Sequence, residues 1–375
     1  MNIKLGDLCK IQAGGTPSRS KQEYWNKGEI PWVKIGDIES KYLNKTSEFI
    51  TDEGLKNSSA KKIEKGSILY TIFATLGEVC INNIDVTTNQ AIAGITLKDD
   101  KVYIDYLYYF LKSLKNYVNA IGRGVAQNNI NLTLLRGFDV PVPDKNRQLI
   151  IAQSLSNIEK MINNKKQQLS EYDQLIKSRF VEMFGDPILN QKGWKTEKLQ
   201  NVCQVNKYKG EVENTNGKVW LLNLDMVESN TGKIINYVYE DENNIASSTI
   251  KFDTNCVLYS KLRPYLNKVV VPLKSGYATS EMISMKTDNV SKYFLSNLLM
   301  MNSFVDFANG TSYGAKMPRA SVDMIKNFDL MLPPKTLQDD FGLFVEQVDK
   351  LKFEVQKSLN ETKVLFDSLM QKYFG

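Results

Sequence analysis

A set of polar side chains on glycine-flanked, loop-like segments provides the first candidates for chemistry in this sequence. Arg, Asn, Gln and Glu each present two hydrogen-bonding groups, and such pairs can match the edge of a nucleic-acid base, as Arg does on guanine and Asn or Gln on adenine. In the first half of the chain the candidates are Lys34, Asn89, Gln90, Arg123, Gln127, Asn128 and Asn131. In the second half they are Asn223, Lys261, Arg263, Ser280, Glu281, Tyr313, Lys316 and Arg319. For each residue taken singly, a solvated loop position is the alternative.

The residues that the sequence lacks argue against catalysis by this chain alone. There is no histidine, so neither a Ser-His-Asp or Cys-His site nor a histidine-based zinc site can be built. The cysteines are dispersed (Cys9, Cys80, Cys203 and Cys256) and form no C-x-x-C pair. No P-loop, dinucleotide-binding glycine motif or Asn-Pro-Pro-Tyr-like methyltransferase motif occurs. A nuclease that uses carboxylates only remains open as an enzymatic alternative.

Composition sets broad limits on the class of protein. A chain of 375 residues suggests two or three domains. The net charge of +6 permits nucleic-acid binding without requiring it. No apolar run approaches the roughly 18 residues of a membrane span, and the N-terminus has no apolar core long enough for a signal peptide. Together with the dispersed cysteines, this predicts a protein of the reducing cytoplasm that has no membrane partner.

An internal duplication organises the whole chain. FDVPVP at Phe138 to Pro143 recurs as FDLMLP at Phe328 to Pro333, an offset of 190 residues. The same offset joins Gln148 to Gln338 and Phe184-Gly185 to Phe374-Gly375. The register holds without a gap from Phe138 to Gly185, which indicates a tandem duplication.

The earlier parts of the two halves also match, with insertions between them that are typical of surface loops. We match Leu5 and Cys9 with Leu199 and Cys203, Trp32 and Asp37 with Trp220 and Asp225, and Leu69-Tyr70 with Leu258-Tyr259. Thr88-Asn89-Gln90 is matched with Thr279-Ser280-Glu281, and residues 123–128 with residues 311–316. We expect the matched cysteines and tryptophans to be core residues.

Each half begins with mixed β-like and helical patterns and ends in one long helix. Leu155, Ile162, Leu169 and Ile176 recur every seven residues, and Val345, Leu359 and Phe366 occupy matching positions that Lys352 interrupts. This spacing is typical of a coiled coil, and about 36 residues would give a rod of roughly 54 Å. A dimerisation or bundle helix is the general alternative. Within a duplicated chain the two helices can instead pair with each other, antiparallel, about a pseudo-two-fold axis.

The ordered combination of these marks resembles the specificity subunit of Type I restriction-modification systems. Each copy has a globular domain ending in FDVPVP or FDLMLP, a glutamine at the start of a long helix, and a helix that closes in Phe-Gly. Met331 and Met370 in the second copy depart from Pro141 and Phe180 in the first. The resemblance covers essentially the whole chain.

This resemblance implies an α+β fold in which two α/β target-recognition domains alternate with two spacer helices. The expected divisions are residues 1–145 and 186–335 for the domains, and 146–185 and 336–375 for the helices. The chain would be non-catalytic and read a bipartite double-stranded DNA target, so we predict that several of the candidates contact DNA. It would dock two methyltransferase subunits and, in some systems, restriction or translocase subunits. S-adenosylmethionine and ATP would belong to those partners, and this chain would hold no cofactor or metal.

Two other functions are compatible with parts of the pattern. A freestanding DNA-binding protein would bind its site tightly without partners. A scaffold or adhesion-type coiled-coil protein would show no salt-dependent DNA binding, whereas phosphate contacts make affinity fall with salt. Neither alternative explains why a globular domain and a long helix both occur twice.

Overall fold

The computed structural model describes residues 1–122, 129–287, 289–314 and 316–375. The chain divides into two compact units: unit 1 contains Met1–Asn164 and Leu359–Gly375, and unit 2 contains Lys165–Ser358. Three candidates, Arg123, Gln127 and Asn128, lie outside the described residues. No described helix is long and apolar enough to cross a membrane.

The globular part of unit 1 is a mixed α/β structure. Its strands are β1 (Asn2–Lys4), β2 (Cys9–Ala13), β3 (Ile30–Val33), β4 (Tyr42–Leu43), β5 (Glu48–Ile50), β6 (Ile68–Thr71), β7 (Val79–Asn82), β8 (Thr87–Thr88), β9 (Ile92–Leu97) and β10 (Asp139–Pro141). Its helices are α1 (Leu5–Leu8), α2 (Asp52–Lys56), α3 (Ile104–Ser113), α4 (Lys115–Gly122) and α5 (Leu132–Arg136). The strands form sheets in the orders β2-β9-β6-β7-β4, β5-β3-β8 and β1-β10. The β6 run is wholly buried, which suits its aliphatic and aromatic side chains.

The globular part of unit 2 is also a mixed α/β structure, with some strands and helices that unit 1 lacks and without others. Its strands are β11 (Thr196–Lys198), β12 (Cys203–Val205), β13 (Asn214–Thr215), β14 (Lys218–Leu222), β15 (Val238–Asp241), β16 (Ile250–Phe252), β17 (Cys256–Ser260), β18 (Val269–Val270), β19 (Gly276–Ala278), β20 (Met282–Thr287) and β21 (Asp329–Met331). Its helices are α7 (Leu199–Val202), α8 (Lys292–Met300), α9 (Asn302–Gly310) and α10 (Val322–Lys326). The sheet orders are β12-β20-β17-β18, β13-β14-β19-β16 with β15 on β14, and β11-β21.

The two long helices are α6 (Lys145–Phe184) and α11 (Lys335–Phe374), and the prediction of two long helices is confirmed. Each unit contains a segment of both. Within unit 2, Lys352 Nζ lies 2.6 Å from Asp173 Oδ1, and the Phe180 and Phe341 rings are 5.5 Å apart. Residue numbers thus increase along α6 in the direction in which they decrease along α11, so the two segments run antiparallel. Lys352, which interrupts the apolar seam, is accommodated by this ion pair with Asp173.

In each unit, a buried glutamine at the start of the long helix is hydrogen-bonded to the globular part. Gln148 is fully buried, its Oε1 accepting from Tyr103 N and its Nε2 donating to Pro143 O. Gln338 makes the equivalent bonds with Ser291 N and Pro333 O. A buried amide with its donor and acceptor satisfied fixes the angle at which the helix leaves the domain.

Hydrogen bonds between strands establish which residues of the two units are equivalent. Cys9 faces Leu97 and Cys203 faces Thr287, and both cysteines are buried, as predicted. Asn89 N donates to Val33 O, and Thr279 N donates to Leu222 O. Asn89 is therefore equivalent to Thr279, again at an offset of 190.

This register corrects two matches made from sequence. Gln90 corresponds to Ser280 rather than to Glu281, because the sequence match was displaced by one residue. Trp32 faces Thr87, the residue before Thr88, and therefore corresponds to Leu221 and not to Trp220. Successive side chains of a strand point to opposite faces, so the two tryptophans enter different cores. Both are nonetheless buried, with 3% and 2% of their surface exposed, and the prediction that they are core residues is confirmed.

Candidate nucleic-acid interface

In unit 2, backbone pairing gathers the candidates at the ends of several strands. Lys261 follows β17, and its N–H donates to Glu281 O over 3.0 Å. Arg263 N donates to Pro318 O over 2.7 Å, and Tyr313 and Arg319 exchange backbone bonds of 3.0 and 2.9 Å. These bonds close the loop that carries Lys316 against the turn after β17. They bring separate sequence segments into one patch, named here patch 2 and consisting of Lys261, Arg263, Glu281, Tyr313, Lys316 and Arg319.

Arg319 and Glu281 bind each other within patch 2. The Nε–H and Nη2–H groups of Arg319 donate hydrogen bonds to the Glu281 carboxylate, and Nη2 lies 2.9 Å from Oε1. These bonds hold the pKa of Glu281 below its ordinary value, and the positive charge of Lys261 acts in the same direction. A bidentate pair orients both partners. We therefore interpret Arg319 and Glu281 as the residues that position the loop, each occupied by the other.

The remaining cations of patch 2 have no such partner. The side chains of Lys261, Arg263 and Lys316 make no hydrogen bond or ion pair with any residue in the part of the chain that the structure describes. Lys316 is exposed, and Tyr313, three residues earlier on the same loop, is 64% exposed. Four cations against one carboxylate leave this surface positively charged, which favours a polyanionic ligand.

Arg263 has an unusual backbone that fixes where its side chain starts. Its φ is +51°, in the left-handed region that residues other than glycine rarely adopt. Its Nε atom is buried and has no hydrogen-bond partner among the described residues. The equivalent residue of unit 1 is Ala74, with a φ of +63°, since Ile130 N donates to Ile72 O as Ala320 N donates to Lys261 O. The same strained turn thus carries an arginine in one unit and a methyl group in the other.

The two remaining unit 2 candidates lie at the neighbouring strand end. Asn223 follows β14 and Ser280 follows β19, and the Thr279–Leu222 bond joins these two segments. Ser280 is exposed and Asn223 is half-buried. The unit 2 candidates therefore lie at linked strand ends or, for Tyr313, Lys316 and Arg319, on the loop that is hydrogen-bonded to them.

In unit 1, Lys34, Asn89 and Gln90 come together in the same way. The Asn89–Val33 bond places Asn89 beside Lys34. Each side chain already has a partner: Lys34 Nζ lies 2.9 Å from Glu48 Oε1, Asn89 Oδ1 accepts from Ala91 N, and Gln90 Oε1 accepts from Thr16 Oγ1. We name Thr16, Arg19, Lys34, Glu48, Asn89 and Gln90 patch 1.

Asn131, the fourth described candidate of unit 1, caps a helix. Its Oδ1 accepts from Leu134 N over 2.7 Å at the start of α5. Ser321 caps α10 in the same way at the equivalent place of unit 2. The side-chain carbonyl of Asn131 is therefore used by this helix cap, and its side-chain amide nitrogen is the group that remains available.

Sequence reasoning missed three residues of patch 1: Thr16, Arg19 and Glu48. Arg19 lies 3.6 Å from the centre of the Trp25 ring and 2.5 Å from Glu48 Oε2. Glu48 also binds Lys34, and these two cations hold its pKa below the ordinary value, with Arg19 the larger influence. The sequence signal was present, because Arg19 follows Gly14-Gly15-Thr16-Pro17, the same glycine-flanked context used to choose the other candidates.

Neither patch contains a recognisable metal site. Among the residues that the structure describes, no group of three or more Cys, Asp or Glu side chains could hold a metal ion. What the two patches offer chemically is hydrogen bonding and positive charge.

Comparison with known proteins shows what this chain is similar to. Residues 1–171 match the family model of the Type I restriction modification DNA specificity domain. The MjaIX specificity subunit of a Type I restriction enzyme from Methanocaldococcus jannaschii is 26% identical, with 98% of this chain and 91% of the relative aligned. The chain is therefore similar to a Type I specificity subunit along most of its length.

Other known proteins show a likeness of similar extent. The EcoDI specificity subunit of Escherichia coli is 22% identical over 99% of this chain and 87% of its own length. A solved S subunit from M. genitalium has a TM-score of 0.59 at 14% identity, covering 100% of this chain and 96% of that one. A chain from a structural study of complex assembly and conformational transition of the type I R-M system has a TM-score of 0.60, also at 14% identity, covering 100% and 97%. At this identity the structural likeness shows the fold alone.

Proposed function

We propose that the chain reads a bipartite double-stranded DNA target, one half through patch 1 and the other through patch 2. The observation that carries this proposal is the pairing of equivalent backbone positions with different side chains. Ala74 and Arg263 occupy the same strained turn, and the neighbouring positions hold Lys34 and Asn223, or Gln90 and Ser280. Two copies of one scaffold with different hydrogen-bonding groups can recognise two different base sequences.

Within each patch, we propose a division between residues that bind and residues that position. The partner-free cations of patch 2 are suited to DNA: Lys316 to a phosphate, and Arg263 to a base edge because its fork can donate two bonds. Arg319 and Glu281, like Lys34 and Glu48, hold their loops in place. The exposed ring of Tyr313 would lie against the sugar-phosphate backbone.

For the helices we propose the roles of spacer and docking surface. The functional divisions would be residues 1–145 and 186–335 for the two target-recognition domains, and 146–185 and 336–375 for the spacers. Each 40-residue helix has a length of about 60 Å, a rigid element able to fix an unspecified gap between half-sites. Two methyltransferase subunits would dock here, joined in some systems by restriction or translocase subunits.

S-adenosylmethionine and ATP would be held by those partners, since this chain would contribute recognition alone. We place the assembly in the cytoplasm, where the four buried thiols would remain reduced.

Selection of bound DNA tests the proposal. The chain is co-purified with its methyltransferase partner, and a random duplex library is sequenced after retention on the complex at two salt concentrations. We expect two short base patterns at one fixed spacing, with affinity falling as salt rises. Enrichment of a single uninterrupted pattern, or identical enrichment by the methyltransferase alone, would contradict the proposal. Tight specific binding by the chain without partners would instead support a freestanding DNA-binding protein.

A further inference from the structure

The turn that follows strand β6 in unit 1 presents an apolar ring to solvent. Ile72 and Leu76 are buried, whereas Phe73 between them is 42% exposed. Ala74, the next residue, has the left-handed φ of +63° that fixes the shape of the turn. Single exposed apolar residues are ordinary on protein surfaces, so the meaning of Phe73 depends on what surrounds it.

This turn is hydrogen-bonded to the segment that carries part of patch 1. Ile72 N donates to Ala91 O over 2.8 Å, and Ala91 N donates to the side chain of Asn89 over 3.1 Å. On its other side the turn pairs with Asn129, which forms a β-bridge with Phe73. Phe73 therefore lies beside patch 1, at the surface through which unit 1 is proposed to read DNA.

Equivalent backbone bonds identify the matching residues of unit 2. Lys261 N donates to Glu281 O over 3.0 Å, and Leu262 forms a β-bridge with Arg319. The bond and the bridge repeat those of unit 1 in the same order along the chain. The equivalent pairs are Ile72 and Lys261, Phe73 and Leu262, Ala74 and Arg263, Ala91 and Glu281, and Asn129 and Arg319.

The two turns differ in charge at nearly every equivalent position. In unit 2, four of these five positions carry a charged side chain, whereas in unit 1 all five are uncharged. The fifth pair, Phe73 and Leu262, is apolar in both units, but Phe73 is exposed and Leu262 is half-buried. Phe73 is thus the largest exposed side chain among the five residues of unit 1.

An apolar ring recognises a base edge by a different chemistry from a cation. In the major groove, thymine is the base that presents a methyl group, and apolar side chains such as Phe contact it. The other three bases present hydrogen-bonding groups there. Covering such a group with a ring that offers no partner costs free energy. A phenyl ring at this turn therefore favours thymine.

We propose that Phe73 contacts the 5-methyl group of a thymine in the half-site that unit 1 reads, and that it contributes to the specificity of that half-site. The proposal rests on the DNA-reading function proposed above. It assigns an apolar contact to the turn of unit 1, whereas the equivalent turn of unit 2 uses charge and hydrogen bonds.

Deoxyuridine tests this contact because it removes the methyl group of thymine and keeps the base pair. The chain is in complex with the proposed methyltransferase partner, and each thymine of the selected duplex is replaced by deoxyuridine, one at a time. Fluorescence anisotropy should show about fourfold weaker binding at one position, the effect of one buried group of methyl size. With Phe73→Ala, the same replacement should have no effect at that position.

Phe49→Ala is the matched control. Phe49 is also 42% exposed and lies in unit 1, but its side chain points to the opposite face of β5 from that of Glu48, a patch 1 residue. The deoxyuridine effect should remain in this variant. Because both phenylalanines are exposed, the melting temperature of each variant should stay close to that of the parent chain.

Three outcomes would overturn the assignment of Phe73 and leave the proposed function intact. The first is a bipartite target on which every deoxyuridine replacement leaves the affinity of the parent complex unchanged, a result that needs no variant. The second is a deoxyuridine effect that Phe73→Ala retains, and the third is an effect that Phe49→Ala also removes. A target that is not bipartite would contradict the proposed function and the assignment together.

Discussion

Replacement of Arg263 by alanine should separate DNA recognition from folding. The side chain makes no hydrogen bond or ion pair with the described residues, and its buried Nε lacks a partner. Alanine keeps a Cβ at the same left-handed backbone and removes an unsatisfied donor, so we expect the free energy of unfolding to change by less than about 0.5 kcal/mol. Folding therefore should not depend on this arginine.

DNA binding should respond much more strongly than stability. Loss of one two-bond contact to a base costs about 1–3 kcal/mol, and 1.4 kcal/mol corresponds to about tenfold in affinity. Arg263→Ala should weaken binding roughly 5- to 150-fold at the unit 2 half-site, with the other half-site unaffected. Arg263→Lys should recover little, because lysine lacks the planar fork.

The assay is fluorescence anisotropy of the chain in complex with the proposed methyltransferase partner, on a duplex that carries the selected target. Duplexes with a changed base pair in either half-site show which half lost discrimination. Lys316→Ala is the comparison for a phosphate contact and should weaken all duplexes equally while reducing the salt slope by about 1. Unchanged affinity and discrimination in a folded Arg263→Ala protein would refute the assignment of this residue.

Three further predictions concern the fold. Glu281→Gln should lower the melting temperature by a few degrees at neutral pH, with the difference shrinking in acid. The lowered pKa of Glu281 contributes stability above its ordinary value of 4.5 that is lost as pH falls through the folded-state pKa; an unchanged difference at low pH would contradict this. The four cysteines should resist a thiol reagent at pH 8 until the protein unfolds, because burial raises the pKa of Cys9 to about 12; rapid native labelling would contradict it. A double-mutant cycle of Lys352→Ala and Asp173→Ala should give a coupling of only about 0.2–1 kcal/mol, since both side chains are partly exposed; a coupling several times larger would show that the pair stabilises the seam.

The parts of the fold that depend on local pattern were predictable from sequence. Seven-residue spacing predicted α6 and α11. The unbroken offset of 190 identified Gln148 and Gln338. These signals are contained within single helices or in a repeat without gaps.

Long-range pairing was harder to predict. Trp32 and Trp220 were matched by residue type. The strand register shows instead that Trp32 is equivalent to the residue one position after Trp220. The partners of the candidate residues lie far away in sequence, as Glu281 and Arg319 do, so sequence alone did not show which cations are already paired. Arg19 lies in a glycine-flanked segment like those of the other candidates, but its contacts with Trp25 and with the distant Glu48 could not be derived from that segment alone.

A methylation map tests the central claim most directly. The chain is co-expressed with the proposed methyltransferase partner in a host free of DNA methylation, and the DNA is sequenced with a modified-base readout. We predict new methyladenine at one bipartite sequence with a fixed gap, and no such mark when this chain is omitted. With Arg263→Ala, the sequence requirement should be relaxed in one half-site only. A confirmed complex that leaves no such mark, or the same mark without this chain, would contradict the account.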